Sequence, residues 1–91
     1  MKTERFELVE VNGYMPKTLE SGKLYHSSRC SVAIHICACG ECGMETVTPI
    51  GASGWDLTAG ANGPTLSPSI GNFQFPCSSH YFIRDGGVIW L

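Results

Sequence analysis

The run Cys37-Ala38-Cys39-Gly40-Glu41-Cys42-Gly43 places three thiols within six residues, and cysteines so close along a chain point several sulfurs at one metal ion. Cysteines at this spacing pair poorly with one another, whereas the interleaved glycines permit the tight turn a metal knuckle needs. Cys77, thirty-five residues beyond Cys42, is the natural fourth ligand. A site of four cysteines has no open position for water, so it predicts a structural zinc held by Cys37, Cys39, Cys42 and Cys77 and sends the search for chemistry elsewhere. Disulfides and redox or cluster chemistry are the alternatives. Five cysteines is an odd number, and Met1-Lys2-Thr3-Glu4-Arg5 has no apolar run of the kind a secretory leader carries, so a reducing, cytoplasmic setting is expected. Cys30 is then the spare thiol.

Ninety-one residues make one small domain, spanning 1–91, and 43% hydrophobic with 15% charged residues describes a globular chain. Its core is thin. Burial in a chain of this size only just outweighs conformational entropy, and a structural zinc adds on the order of 10 kcal/mol of apparent binding free energy to folding. The net charge of −2 comes with scattered basic residues, which argues against a phosphate-tracking surface and hence against a nucleic-acid partner. No apolar run approaches membrane-spanning length, so no membrane partner is expected either.

Strands and turns dominate the pattern. Arg5 to Val11 is rich in β-formers and ends at Asn12-Gly13; Lys23 to His26 follows Ser21-Gly22; Val32 to Ile36 runs into the knuckle, and Glu45 to Thr48 leaves it. Gly51 to Pro64 reads as loop around a short strand from Trp55 to Thr58. Tyr81 to Arg84 and Gly87 to Trp90 flank Asp85-Gly86, the clearest hairpin signal. Only Pro16 to Glu20 looks briefly helical. The expected fold is a small, zinc-stabilised, all-β domain, antiparallel and compact, with little or no helix.

A set of polar groups is left that a structural role explains poorly. Ser69 lies in Pro68-Ser69-Ile70, and His80 closes Cys77-Ser78-Ser79-His80. A serine needs a base to become a nucleophile, and neutral imidazole is the usual one. Eleven residues apart, the two face each other if the chain runs out along one strand and returns along its neighbour. Cys77 would then serve twice, as ligand and as the anchor that sets where His80 emerges. His35 stands two residues before Cys37, on the same face of an extended strand. The plainer readings are that Ser69 caps a backbone group in a turn and that the histidines are ligands or donors to the cluster. Trp55 and Trp90 read mainly as core, with Trp55 also placed to line a groove.

Much of the chain resembles a known family. Met15-Pro16 through Leu24-Tyr25, Ala33 through Gly40, Gly54-Trp55-Asp56-Leu57, Pro64 through Ile70, and Cys77 through Gly86 are similar to a small bacterial and phage family long described only as a domain of unknown function. Its members occur beside bacterial ubiquitin-like proteins and their activating and conjugating enzymes. The resemblance implies a deubiquitinase-like serine peptidase that trims a ubiquitin-like precursor and cleaves its conjugates. Carried over residue by residue, it implies Ser69 as nucleophile, His80 as base and His35 as a second histidine that orients or shares the proton work. Glu41 is a departure, separating cysteines that many relatives hold in a tighter Cys-Gly-Cys-Gly run. No acidic third member is obvious; Asp56, Glu41 and Asp85 qualify by composition alone. Oxyanion donors fall to backbone amides, near Gly71 or in the glycine-rich loop. The substrate is expected as an extended tail along a strand edge, with Trp55, Gly71 and the Gly60 to Pro64 segment as walls. Two other readings stand beside this one: a non-catalytic zinc-ribbon interaction module, and a metallopeptidase in which His35 or His80 joins the metal.

Overall fold

The computed structural model covers residues 1–91 and contains eight strands and no helix. They are β1 (Glu7–Glu10), β2 (Lys23–Ser27), β3 (Val32–Ile36), β4 (Glu45–Pro49), β5 (Asp56–Gly60), β6 (Gly63–Asn72), β7 (Ser79–Arg84) and β8 (Gly87–Trp90). Two four-stranded sheets form, ordered β1-β2-β3-β4 and β5-β6-β7-β8. Neighbours are antiparallel except β1 and β2, which run parallel. No helix is long and apolar enough to cross a membrane.

Alternation along the strands puts one face of each sheet into a shared core. Leu24 and Ala33 come from the first sheet, and Leu66, Ile70, Tyr81 and Ile83 from the second, with Phe6 of the N-terminal segment among them. That segment laces the structure together. Thr3 donates its amide to Ala38 O beside the knuckle, Phe6 donates to Gly86 O, and Glu4 O accepts from Val88 of β8.

Most of the expected strands form within one or two residues of their predicted ends, and the Asp85-Gly86 hairpin is present. Two expectations change. Pro16 to Glu20 is irregular, because five residues are too few to repay helix nucleation, and Leu19 is buried without one. Asn12-Gly13, a strong turn signal in the sequence, leaves β1 without closing a hairpin, since β1 and β2 run parallel. The largest difference lies at Gly63 to Asn72, which is the longest strand in the molecule and the centre of the second sheet. Two prolines and two serines hid it, and its first half is secured by a hairpin with β5 through Gly60-Ala61-Asn62-Gly63.

The β5–β6 and β7–β8 turns abut. Gly86 has φ +79°, a Cβ there would lie 2.4 Å from Asn62 O, and one on Gly63 would lie 2.6 Å from Gly86 Cα. Arg5 Nη2 binds both turns, donating to Asn62 O at 2.7 Å and Asp85 O at 2.9 Å. Gly86→Ala therefore meets both a left-handed backbone and a backbone clash, and it should destabilise the protein by more than about 1 kcal/mol in denaturant unfolding.

Candidate active site

The β6–β7 pair slips between Leu66, which faces Ile83, and Ile70, which faces Tyr81, so four steps on β6 match two on β7. The excess is taken up by Ser67, Pro68 and Ser69, and the Ser67–Pro68 peptide is cis. Bulges re-aim side chains, and this one sits directly before Ile70. Ile70 and Asn72 point into the core, so Ser69 and Gly71 take the opposite face. On β7, Tyr81 is buried and His80, opposite Gly71, lies on the same outer face as Ser69. The result is a hydrogen bond of 2.9 Å between Ser69 Oγ and His80 Nε2.

Phe73 completes this face. Its ring meets the His80 ring edge-on, with centroids 5.1 Å apart and planes at 64°. A Cβ on Gly71 would lie 2.6 Å from Phe73 Cε2, so only glycine lets the ring lie this close to the strand. No carboxylate bonds His80. Glu41 and Asp56 are exposed, and Asp85 occupies its turn at φ +50°, where its amide donates to Thr65 Oγ1.

His35 has a different place from the one expected for a group that shares the proton work. Its ring is fully buried, packed edge-on against Phe6, and its Nε2 is 2.8 Å from Tyr81 Oη. Burial lowers its pKa to about 3, which leaves too weak a base to take a serine proton. Tyr81 Oη also accepts from Ala38 N–H at 3.3 Å and from Asn72 Nδ2 at 3.4 Å, and burial raises its own pKa. Asn72 Nδ2 reaches Cys37 Sγ at 3.3 Å. This network joins the cysteines to the residue after His80. Sequence reasoning missed Asn72 and Tyr81, although period-two alternation from Ile70 and Ile83 marks both as inward-facing.

The sulfurs of Cys37, Cys39, Cys42 and Cys77 lie within 4.8 Å of one another. Cys77 Sγ is 3.7 Å from both Cys37 Sγ and Cys42 Sγ. An ion bound tetrahedrally by thiolates at about 2.3 Å separates them by about 3.8 Å, so this set can hold one metal ion. The surroundings suit thiolates. Glu41 and Cys42 direct amides at Cys39 Sγ, and the Ser79 hydroxyl donates to Cys77 Sγ at 3.1 Å, the main influence lowering that thiol's pKa. Neither His35 nor His80 belongs to the cluster, so the metallopeptidase alternative lacks its histidine ligand. Cys30 is exposed and apart.

Trp55 and Gly71 line one cleft of about 250 Å³, together with Thr46, Val47 and Phe75. Gly60 to Gly63 does not join them; it borders a separate hollow with Arg5 and Phe6. Both strands at the cleft have free edges. β5 pairs with β6 only as far as Ser67, and β4 is the last strand of its sheet. His80 O accepts from Leu91 on the β8 side, so by alternation Gly71 turns its N–H and C=O away from β7, toward the free edge.

A serine hydroxyl hydrogen-bonded to a histidine is the arrangement on which serine hydrolases are built. The chain belongs to the family described as the bacterial ubiquitination-like system serine protease (BubE), whose model matches residues 11–91. No curated protein and no solved structure matches it.

If the four clustered cysteines hold an ion that the fold needs, changing any one to serine should leave little soluble folded protein, while Cys30→Ser should be mild. Metal content and yield of soluble protein check this, and equal sensitivity of Cys30 would contradict the ligand assignment.

Proposed function

We propose that this protein is a deubiquitinase-like serine peptidase that trims the precursor of a bacterial ubiquitin-like protein and cleaves its conjugates. The 2.9 Å contact between Ser69 and His80 carries the reading, in a chain that belongs to a serine protease family. Ser69 Oγ attacks the carbonyl carbon at the end of the ubiquitin-like tail while His80 Nε2 takes the hydroxyl proton. His80 returns that proton to the leaving amine, and the C–N bond breaks to leave a Ser69 ester. Water, deprotonated by His80, cleaves the ester and frees the tail as a carboxylate.

His80 acts here without a carboxylate, and the edge of Phe73 and the β6–β7 pairing hold its ring. His35 works at one remove as a positioning residue, through Tyr81, the neighbour of His80 on β7. The tail enters as an extended segment along the free edge of β6, with Gly71 and Trp55 as substrate-binding residues. Zinc is the ion that a tetrahedral four-thiolate set suits. Held by Cys37, Cys39, Cys42 and Cys77, it would supply cross-linking and no reaction step, in a cytoplasmic setting that keeps thiols reduced.

Ser69→Ala should abolish cleavage of the precursor while metal content stays the same and stability changes by only about 1 kcal/mol. His80→Ala should lose activity to the same degree. Full activity in Ser69→Ala would show that Ser69 is not the nucleophile, with Ser79 and Ser67 tested next, and absence of cleavage by the native protein would return it to a binding role.

Specificity follows from size. The cleft is small, so binding of the folded ubiquitin-like body should supplement the tail. Isolated tail peptides are therefore expected to have a much lower kcat/KM than the intact precursor, and equal values would show that the body contributes nothing.

A further inference from the structure

Two polar atoms in the cleft residues lack any partner. Trp55 Nε1 and Thr46 Oγ1 are both buried, and neither makes a hydrogen bond. Both residues line the cleft beside Gly71. Thr48, on the same face of β4, provides the contrast, since its hydroxyl donates to Ala33 O at 2.8 Å. The strand thus carries the same side chain twice, and the unsatisfied copy is the one at the cleft. Unpaired buried polar groups are unfavourable, so two of them lining one cleft point to a ligand that completes them.

The main chain around them is also unpaired. Gly71 turns its amide and carbonyl toward the free edge of β6. On the other wall, Cys37 donates to Met44 O and Ile50 to Ser31 O, which fixes the alternation along β4 and turns the amide and carbonyl of Val47 outward. At about 250 Å³ the cleft falls below the roughly 300–1,000 Å³ of sites for drug-sized ligands, which suits a backbone with small side chains.

We propose that this cleft is a receptor for peptide main chain. The Trp55 indole N–H donates to a carbonyl oxygen of an extended peptide that pairs with β6 at Gly71, and the Thr46 hydroxyl bonds a peptide group of the same segment. Indole is a donor only, so this position selects a carbonyl, whereas a hydroxyl takes either partner. The proposal rests on the peptidase reading for the identity of the peptide, the ubiquitin-like tail, and on the unpaired groups for the chemistry of recognition.

The test uses ¹⁵N-labelled Ser69→Ala protein titrated with a ubiquitin-like precursor from such a system, with that precursor lacking its tail, and with millimolar hexaglycine. The tail-bearing precursor and hexaglycine should each move the Trp55 indole resonance downfield; the tail-less precursor should not, and Trp90 provides the internal reference. In the otherwise native protein, Trp55→Phe and Thr46→Val keep ring and shape but lose the polar group. Each should raise KM for the precursor by about five- to tenfold, more than it lowers kcat. A Trp55 resonance that stays fixed while the Gly71 amide responds, or a KM within about twofold of native in both variants, overturns the receptor and leaves the Ser69–His80 mechanism standing. If cleavage proves independent of Ser69, the Ser69–His80 mechanism fails instead. Hexaglycine then decides the receptor alone, supporting it if the Trp55 signal moves and overturning it if not.

Discussion

Four sulfurs from two distant stretches of chain meet between the sheets, and the placement of everything else follows from that meeting. Cys37, Cys39 and Cys42 lie on the turn between β3 and β4, while Cys77 stands two residues before β7. Drawing them together binds the edge of one sheet to the start of a strand in the other. In a core as thin as this, such a cross-link with a metal ion bound would contribute on the order of 10 kcal/mol, comparable to the whole stability of a small domain. It also fixes where β7 begins, and His80 is the second residue of that strand.

The candidate active site inherits its geometry from strand pairing. Ser69 and His80 sit on adjacent strands, and their positions are set by inter-strand hydrogen bonds and by inward-facing Ile70 and Tyr81. The bulge at Ser67 to Ser69 adds two steps to β6, an even number, so the inward and outward faces stay in phase with β7, and Gly71 instead of Ser69 lies directly opposite His80. The network of His35, Tyr81, Asn72 and Cys37 lies beneath the same two strands and ties them to the cysteines. Side chains locked by packing and hydrogen bonds hold a neighbouring site more firmly than a loop can.

Legibility from the sequence varied with the range of the interaction. The knuckle, the Asp85-Gly86 hairpin and strands such as Val32–Ile36 announce themselves through local spacing, turn chemistry and β-branched residues. β6 did not, because Pro64, Pro68 and the serines around them carry turn signals, and the strand exists through its partners on both sides. His35 is narrower in role than the resemblance implied. Of orienting or sharing the proton work, enclosure of its ring between Phe6 and Tyr81 leaves only the first, since burial lowers the basicity that proton transfer needs.

The sequence by itself determined the all-β class and the identity of the four clustered cysteines, and it marked Ser69 and His80 as candidates, since each depends on composition and short-range spacing. Tertiary structure decided which side chains meet. The 2.9 Å contact of Ser69 with His80, the withdrawal of His35 into the core and the unpaired edge at Gly71 all depend on strand register and on which face each residue takes. Register comes from the summed burial of both sheets and from a bulge with no local signature, so no window of the chain short enough to read by pattern contains it.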